Sequence, residues 1–347
     1  MDKMKIFFLV TIDTECDKSF DWSVQQPLSF RSIIEGIPQR LQPLFNMYQV
    51  KPTYLLSPEV ILNSDSVKIL KNMPGECELG THLHAEFIDP GALMNSSATK
   101  VFQADYSYEI EFNKMKNLTE LFESAFGYSP VSFRAGRFGM GKNTLSILKK
   151  LGYLIDSSVF PLHTIVMKNS INNFYDAPHT VYFPDMSNYR REIPSDEAGL
   201  LEIPVTVYSS FYNALPVFVR RPMSERAYLL ALAKRLLGKR RVKPITLRPS
   251  SLSFDEMKFV VDRSIECNRK NGIVFLTMMF HSNEIIEGAS PYCISTEEVQ
   301  KLLQSMNSVF QYVQDLDGRF ISMSDAWHIM KKTDSRIMPV PFIDYKV

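Results

Sequence analysis

Short apolar runs alternate with amphipathic stretches along most of the chain. The runs are rich in β-branched and aromatic residues, which predicts strands at residues 6–13, 52–57, 77–84, 131–136, 154–159, 200–207, 273–281 and 319–324. Helical periodicity lies between them, most clearly at residues 106–126, 142–151, 254–271 and 296–313. This order predicts βα units around a parallel sheet. Seven or eight such repeats favour a barrel, with an open doubly wound sheet as the alternative.

The alternation is interrupted between residues 160 and 249. The first part is rich in Asn, Pro and Tyr and predicts a long irregular loop with a short hairpin, a candidate substrate wall. The second part, residues 220–248, holds ten Arg or Lys and one Glu. We expect a single catalytic domain at residues 1–330, with 160–249 as an inserted cap segment, and a C-terminal tail at 331–347.

Residues 227–241, "AYLLALAKRLLGKRR", predict a helix inside this basic part. Apolar residues surround its turns and the cations are bunched at its end, which is typical of a buried or half-buried helix whose last turn suits its dipole. The alternative is a surface for anionic lipid or for the phosphates of an activated glycan.

The composition narrows the classes of partner and compartment. The 347 residues are 45% hydrophobic, enough for a large core, and 39 basic against 38 acidic residues exclude a globally basic nucleic-acid-binding protein. The four cysteines are far apart and form no CxxC pair, so the sequence predicts neither a disulfide framework nor a thiolate zinc site. A reducing compartment fits this pattern.

No segment approaches the ~20 apolar residues of a membrane span. The apolar run at residues 6–10 is shorter than a signal peptide needs, and candidate chemistry begins at Asp13. We therefore expect a cytoplasmic protein. Peripheral contact with the inner face of an anionic membrane, through residues 234–243, is the membrane interaction that the basic segment suggests.

The first predicted strand ends in "TIDTECD", where Asp13, Glu15 and Asp17 occupy alternate positions. Successive side chains of a strand point to opposite faces, so these carboxylates share one face. Adjacent like charges raise one another's pKa unless a positive charge lies between them. A cation is therefore expected beside Asp13 and Glu15, whereas Asp17 is expected to cap a helix or to lie in a solvated loop.

Charged and imidazole side chains also end the later strands, where α/β enzymes place their sites. They are His82 and His84 in "THLH", Arg134 and Arg137 in "FRAGRFG", Asp156, and His281 and Glu284 in "MMFHSNE". Two histidines and one carboxylate suffice for a catalytic divalent metal. Taken singly, each residue has a structural alternative: a histidine at the core edge, or an acid that caps a helix or pairs with lysine. Their coincidence at five strand ends favours a site.

The ordered series "TIDTE", "GTHLH", "FRAGRFG", "IDSSV" and "MMFHSNE" resembles the NodB-type polysaccharide deacetylases, carbohydrate esterase family 4 and relatives. It is most similar to a divergent intracellular branch found with polysaccharide-assembly genes, and the resemblance covers roughly residues 6–326. It implies a distorted (β/α) barrel, often of seven strands. It also implies metal-dependent hydrolysis of an N-acetyl group from an amino sugar, in a glycan or in a lipid-linked or nucleotide-linked precursor.

The resemblance implies a role for each matched residue. The roles are Asp13 as base, Glu15, His82 and His84 as metal ligands, Arg134 as the arginine that orients the base, Asp156 as the carboxylate beside the acid, and His281 as general acid. Zn²⁺ is the implied ion, with Co²⁺, Ni²⁺ or Fe²⁺ as alternatives.

Three departures from the family pattern leave alternatives open. Thr14 separates the two acids that usually adjoin, and the histidines are closer together than usual, so Glu86 competes with His84 as a ligand. The usual proline-rich third motif is replaced by "RAGRFG", so Arg137 competes with Arg134, which we favour. Glu284 is a further candidate. The alternative functions are hydrolysis of another C–N bond on the same site, such as a cyclic ureide or a formyl group, and a non-catalytic carbohydrate-binding barrel.

Overall fold

The computed structural model describes residues 4–92, 102–194 and 199–334, and its centre is a curled sheet of parallel strands. The strands in chain order are β1 (Lys5–Thr14), β2 (Thr53–Leu56), β3 (Glu78–Leu83), β4 (Ser132–Ala135), β5 (Ile155–Asp156), β6 (Thr164–Val166), β7 (Ile171–Asn173), β8 (Pro184–Asp185), β9 (Asn188–Glu192), β10 (Leu201–Glu202), β11 (Val207–Tyr208), β12 (Ile245–Thr246), β13 (Ile273–His281) and β14 (Arg319–Phe320).

Seven of these strands follow one another in the order β10–β5–β4–β3–β2–β1–β13, and β14 also pairs with β1. Every pairing in this sheet is parallel. The backbone N–H of Thr206, which follows β10, donates to the carbonyl of Thr277 in β13 at 3.0 Å, so the two ends of the sheet are joined. The predicted distorted (β/α) barrel is confirmed.

Helices connect the strands and cover the outside of the sheet. They are a π-helical segment (Ser32–Leu41), α1 (Gln42–Tyr48), α2 (Pro58–Leu62), α3 (Ser64–Lys71), α4 (Tyr108–Phe126), α5 (Thr144–Lys150), α6 (Ser210–Asn213), α7 (Val217–Glu225), α8 (Ala227–Leu237), α9 (Lys239–Val242), α10 (Phe254–Cys267), α11 (Thr296–Asp315) and α12 (Met323–Asp334). Short 3₁₀ turns occupy Ala85–Phe87, Gln103–Asp105, Gly136–Phe138, Arg269–Asn271 and Ser282–Ile285. None of the helices in the described parts of the chain is both long and apolar enough to cross a membrane.

The alternation of side chains along β1 explains where the site forms. Its even positions, including Phe8 and Val10, pack in the large core under the helices. Its odd positions, including Phe7 and Leu9, pack in a separate cluster with β5, β10 and α12. Because the period of a strand is two residues, Thr11, Asp13 and Glu15 continue the odd face towards the carboxyl ends of the strands. The apolar cluster fills one end of this face and polar groups occupy the other.

Several predicted strands are shorter than expected. The prediction at residues 200–207 splits into β10 and β11, because Pro204 lacks the N–H that a central ladder needs. The prediction at 319–324 gives only β14, since α12 begins at Met323. The described part of the expected tail, residues 331–334, continues α12, and residues 335–347 lie outside the described residues.

The stretch 160–249 contains more regular structure than its composition suggested. It forms two hairpins, β6–β7 and β8–β9, and four short helices, while β10 belongs to the main sheet. The expected burial of the helix at 227–241 is wrong, because in α8 only Ala233 is buried. Ala233 packs on a small cluster that includes Leu162, Val207 and Tyr212, which covers one edge of the helix and leaves the rest exposed.

Candidate active site

The carboxyl ends of β1, β3, β4 and β13 bring the predicted polar residues together. The parallel pairing of β1 with β13 sets Asp13 beside His281, and that of β3 with β4 sets His82 beside Arg134. Asp13, His82 and Arg134 are at most 2% exposed. Buried charges of this kind are stable only when they are paired or hold an ion.

Glu15, His82 and His84 form a candidate metal centre. One ligand atom from each lies within 4.8 Å of the others. Glu15 Oε1 is 3.2 Å from His82 Nε2 and 2.9 Å from His84 Nε2. The structure therefore groups His84 rather than Glu86 with the other two residues, through the strand alternation that the HxH spacing predicted.

The surroundings of both imidazoles fit a cation at this centre. His82 Nδ1 is 3.0 Å from the carbonyl oxygen of Arg134, to which it can donate, while Nε2 lies 3.2 Å from Glu15 Oε1 and would be the ligand atom for a metal. His84 Nε2 is buried, and its contact with Glu15 Oε1 lacks the geometry of a hydrogen bond, which leaves Nε2 suited to a metal. Its Nδ1 lies 3.4 Å from Glu86, which Arg137 binds in turn. This is a carboxylate–histidine arrangement typical of metal sites.

The pKa shifts of His84 and Glu15 also indicate that a positive charge belongs at this centre. Burial would lower the pKa of His84, but the Glu15 carboxylate raises it to about 9. Burial would raise the pKa of Glu15, whereas His84 and Lys18 hold it well below its ordinary value. The group therefore carries a proton when no metal is bound, and Glu15 remains an anionic ligand.

Asp13 is held as a carboxylate by Arg134, a side chain with no exposed surface. Arg134 Nη1 donates to Asp13 Oδ1 at 2.6 Å, and its other donors bind Thr11 Oγ1 and the hydroxyl and carbonyl of Ser157. Burial would raise the pKa of Asp13, yet the Arg134 guanidinium, with His82 and His281, lowers it. Arg134 thus occupies the position beside Asp13, and Arg137 occupies the one beside Glu86.

His281 faces Asp13 from the other side. Its Nε2 lies 3.9 Å from Asp13 Oδ2 and 3.8 Å from Glu15 Oε1, close enough for one small group to contact all three. Its Nδ1 is 2.8 Å from Glu284 Oε1 and 3.0 Å from Arg248 Nη2. Since a guanidinium cannot accept a hydrogen bond, the proton on Nδ1 is directed to Glu284.

Glu284 is fully buried and its charge is fixed by Arg248, which binds it directly. Burial would raise the pKa of Glu284, but the guanidinium lowers it to about 2. Arg248 also packs over the ring of Tyr292, with its guanidinium carbon 4.3 Å from the ring centroid.

No hydrogen bond or ion pair joins Asp156 to His281 in the described part of the chain, whereas Asp156 is expected to support the acid. Its Oδ1 accepts from Ser158 Oγ at 2.5 Å, and the pairing of β10 with β5 places Glu202 beside it. The reason is local, because Ser158 and Glu202 lie at the Asp156 carboxyl, while the loop after β13 supplies Glu284 to His281. Burial raises the pKa of Asp156 to about 6, and burial together with Asp156 raises that of Glu202 well above its ordinary value.

Asp17 has a structural role at the start of the first helix. Its carboxylate accepts from the hydroxyl of Ser29 at 2.5 Å, from the backbone N–H of Arg31 at 2.9 Å and from that of Ser32 at 3.2 Å. It therefore satisfies backbone donors that a helix start leaves free. The capping part of its prediction is correct, and the solvated-loop alternative is wrong because the side chain is buried.

The sequence patterns did not indicate Lys18, Trp22 or Arg248. Lys18 is buried with its Nζ 3.4 Å from Glu15 Oε2, and the Trp22 ring centroid lies 5.0 Å from that of His281. Trp22 also meets Tyr292 edge-on at 5.6 Å, which gives the site an aromatic wall. Proximity of Lys18 to the acidic cluster in the sequence was an available signal, whereas Trp22 and Arg248 lie in loops without periodicity.

No protein-family model matches the chain, and no curated protein matches its sequence. Solved structures do match its fold. A structure from Pseudomonas aeruginosa PAO1, described as a probable polysaccharide deacetylase, has a TM-score of 0.54 at 14% identity, over 95% of this chain and 92% of that one. The Puue allantoinase has a TM-score of 0.52 at 12% identity, over 95% of this chain and 91% of that one.

A structure from Mycobacterium smegmatis, also assigned by its description to the polysaccharide deacetylases, has a TM-score of 0.50 at 12% identity. The alignment covers 100% of this chain and 96% of that one. At sequence identities this low, the similarity shows a shared fold. The chain has the fold of the NodB-type polysaccharide deacetylases, in a divergent form, as the order of its motifs predicted.

Proposed function

We propose that this protein is a metal-dependent hydrolase that removes the N-acetyl group from an amino sugar, in a glycan or an activated glycan precursor. The observation that carries the proposal is the placement of Asp13. Its carboxylate is bound by Arg134, adjoins the group of Glu15, His82 and His84, and faces the imidazole of His281 across 3.9 Å. A base, a metal centre and an acid on three sides of one space suit amide hydrolysis.

The residues present fit a divalent ion held by Glu15 Oε1, His82 Nε2 and His84 Nε2. When bound, such an ion would supply a more acidic water and polarise the amide carbonyl. We propose Zn²⁺, because two imidazoles and one carboxylate are a ligand set that zinc enzymes use. Co²⁺, Ni²⁺ and Fe²⁺ suit the same ligands.

Asp13 would act as the general base. Its lowered pKa keeps it ionised near neutral pH, so it can accept the proton of the attacking water. Arg134 holds Asp13 Oδ1 and leaves Oδ2 facing His82 and His281, so Oδ2 is the oxygen that would take the proton.

His281 would act as the general acid. Breaking an amide C–N bond expels an amine, which leaves poorly unless its nitrogen is protonated. Nε2 of His281 faces the space beside Asp13, and Nδ1–H donates to Glu284. In the protonated imidazole, the Glu284 carboxylate balances the positive charge while Nε2–H is directed to the leaving nitrogen.

The aromatic wall supports a sugar as the substrate. Trp22 lies beside His281, the proposed acid, and Tyr292 lies beside Trp22. Aromatic side chains offer a flat apolar body against which a sugar ring can pack. Two of the structural neighbours are described as polysaccharide deacetylases, and we extend that substrate class to this chain as part of the proposal.

We further propose that the substrate is a lipid-linked or nucleotide-linked N-acetyl sugar used in the cytoplasm. A second candidate is hydrolysis of a cyclic ureide, which the similarity to the Puue allantoinase favours. The two differ in their product, since only deacetylation releases acetate.

An acetate-release screen tests the proposal. Purified protein loaded with Zn²⁺ is incubated with nucleotide-linked, lipid-linked and polymeric N-acetyl sugars, and with allantoin. We expect acetate from at least one sugar, and a loss of roughly 10²–10⁴-fold in Asp13→Asn, which keeps the shape of the base but not its charge. Asp65→Asn, at an exposed acid of α3, is the matched control. Turnover of allantoin alone would favour the ureide candidate, and no metal uptake would favour a carbohydrate-binding barrel.

A further inference from the structure

α8 presents an apolar stripe to solvent. Tyr228, Leu232 and Leu236 are 68%, 51% and 72% exposed, and their spacing of four residues places them on one side of the helix. Ala233 and Leu230, which lie off the stripe, face the rest of the protein: Ala233 is buried and Leu230 packs against the same cluster. Large apolar side chains in a continuous exposed row mark a binding surface more often than isolated ones do.

Cations border the stripe and continue beyond it. Arg235 lies just before Leu236 on α8, and Lys239, Arg240 and Arg241 form most of α9; all four are exposed. Residues 226–243 contain seven Lys or Arg and no Asp or Glu. We define the α8 surface as Tyr228, Leu232, Leu236, Arg235 and residues 239–241.

We propose that the α8 surface docks on an anionic lipid bilayer. An interfacial helix inserts an apolar stripe among the headgroups while flanking cations bind anionic lipids, and the α8 surface has both parts. The charge pattern argues against the other occupants. A second copy would bring cations against cations, and a nucleic acid or free phosphates would leave the leucines in water.

The surface is tied to the end of the barrel that carries the candidate active site. Ala233 shares its cluster with Leu162 and Val207, and Phe160 packs against the same cluster. Phe160 in turn stacks on Phe138, with 4.4 Å between the ring centroids. The centroid of Phe138 lies 5.7 Å from the Arg134 guanidinium. Docking through α8 would therefore bring this end of the barrel to the membrane. The docking itself does not depend on the proposed deacetylation.

Vesicle sedimentation of the full chain tests the proposal without any turnover measurement. The vesicles contain phosphatidylcholine alone or with phosphatidylglycerol. We expect sedimentation only with the anionic lipid, and a loss that increases with salt concentration. The triple variant Lys239→Glu, Arg240→Glu, Arg241→Glu should bind more than ~100-fold more weakly, since each cation near an anionic surface contributes about fivefold.

A second variant separates the apolar stripe from the charges. Leu232→Gln with Leu236→Gln should also bind more weakly, and its residual binding should be lost at a lower salt concentration. The matched control reverses three exposed cations on other elements, Lys68, Arg269 and Lys301, and should bind like the parent. Unchanged circular dichroism and thermal midpoints show that the variants are folded.

Three results would overturn the proposal. One is that the protein sediments equally with neutral and anionic vesicles, or does not sediment with either. Another is a loss of vesicle binding in the control variant equal to that of the triple variant, because net charge rather than the α8 surface would then explain the effect. The last is a dimer in size-exclusion chromatography that Leu232→Gln with Leu236→Gln dissociates, because the stripe would then be an interface between two copies.

Discussion

An ion pair between buried Glu284 and partly exposed Arg248 fixes the orientation of the imidazole that would donate the final proton. Arg248 binds Glu284, and Glu284 accepts from Nδ1 of His281 at 2.8 Å. Glu284 has no exposed surface, so it cannot reach a substrate and acts through His281 alone. It is a positioning residue in the proposed reaction.

Glu284→Gln tests that role. The amide keeps the size of the side chain but loses the charge that balances a protonated imidazole, so we expect kcat to fall by about 10–100-fold. KM should stay within about twofold, because the residue does not contact the substrate. Steady-state kinetics on the sugar found in the acetate screen measure both values.

Two further variants test whether the charge at this position is what matters. Glu284→Asp keeps the charge and should recover part of kcat, and Glu287→Gln, on the same loop but partly exposed and paired with Arg40, should leave kcat unchanged. An equal loss in the Asp and Gln variants would show that shape rather than charge is required at this position.

The sequence predicted most of the residues at the site, and its failures have a physical cause. Alternation along a strand is enough to place Asp13 with Glu15 and His82 with His84. It does not say which strand lies next to which. The family resemblance assigns Asp156 to His281, whereas the carboxylate that reaches the imidazole is Glu284, three residues after His281 in the turn that follows β13. Contacts made by loop residues, such as Arg248, follow no period.

At the scale of the elements, β5 and β10 bring two carboxyl groups together without a cation between them. Asp156 Oδ2 and Glu202 Oε2 are buried, and neither has a hydrogen-bond donor among the described residues. Two acceptors side by side are stable when one proton is shared between them. Burial raises the pKa of Asp156, and burial together with the charge and the hydrogen bond of Asp156 raises the pKa of Glu202.

Glu202→Gln should stabilise the protein at neutral pH. Carboxyls whose folded pKa is raised keep protons that the unfolded chain has lost, so the parent loses stability as pH rises from about 4 through about 6. The amide of the Gln variant can donate to Asp156, so the loss of stability with rising pH is removed. We expect a free energy of unfolding about 2 kcal/mol higher at pH 8, and no gain near pH 4. Denaturant unfolding at both pH values measures it.

Glu76→Gln, at an exposed acid before β3, is the control and should show no gain that grows with pH. A gain of the same size at pH 4 and pH 8 for Glu202→Gln would contradict a shared proton. It would indicate improved packing, which does not depend on pH.

Elements were predicted well where pattern and packing agree. The apolar run of β1 and the periodicity of α4 and α11 correspond to buried surfaces, and these elements lie close to their predicted bounds. The pattern of α8 is apolar around most of its circumference, which predicts burial. Burial also needs a partner surface, and that depends on contacts distant in sequence.

At the scale of the whole molecule, metal binding should couple to unfolding. The ligands come from β1 and from the end of β3, so unfolding separates them. An ion that binds the folded state alone stabilises it by about 2.7 kcal/mol at a concentration of 100 times Kd. Metal-stripped protein should therefore gain several degrees in Tm when Zn²⁺ or Co²⁺ is added.

A paired set of histidine variants checks this coupling by calorimetry. His82→Ala with His84→Ala should abolish the rise in Tm, and His328→Ala, at an exposed histidine of α12, should retain it. The same rise in all three proteins would place the ion elsewhere, and the candidate metal centre would have to be abandoned.

The pairing of Asp13 with His281 across β1 and β13 limits how this protein can evolve. Inserting or deleting one residue within either strand would turn the carboxylate or the imidazole to the opposite face. Changes of length are then tolerated only in the connections beyond the strand ends. Lineages that share this active site should differ by insertions after the strands, while β1 and β13 keep a constant length.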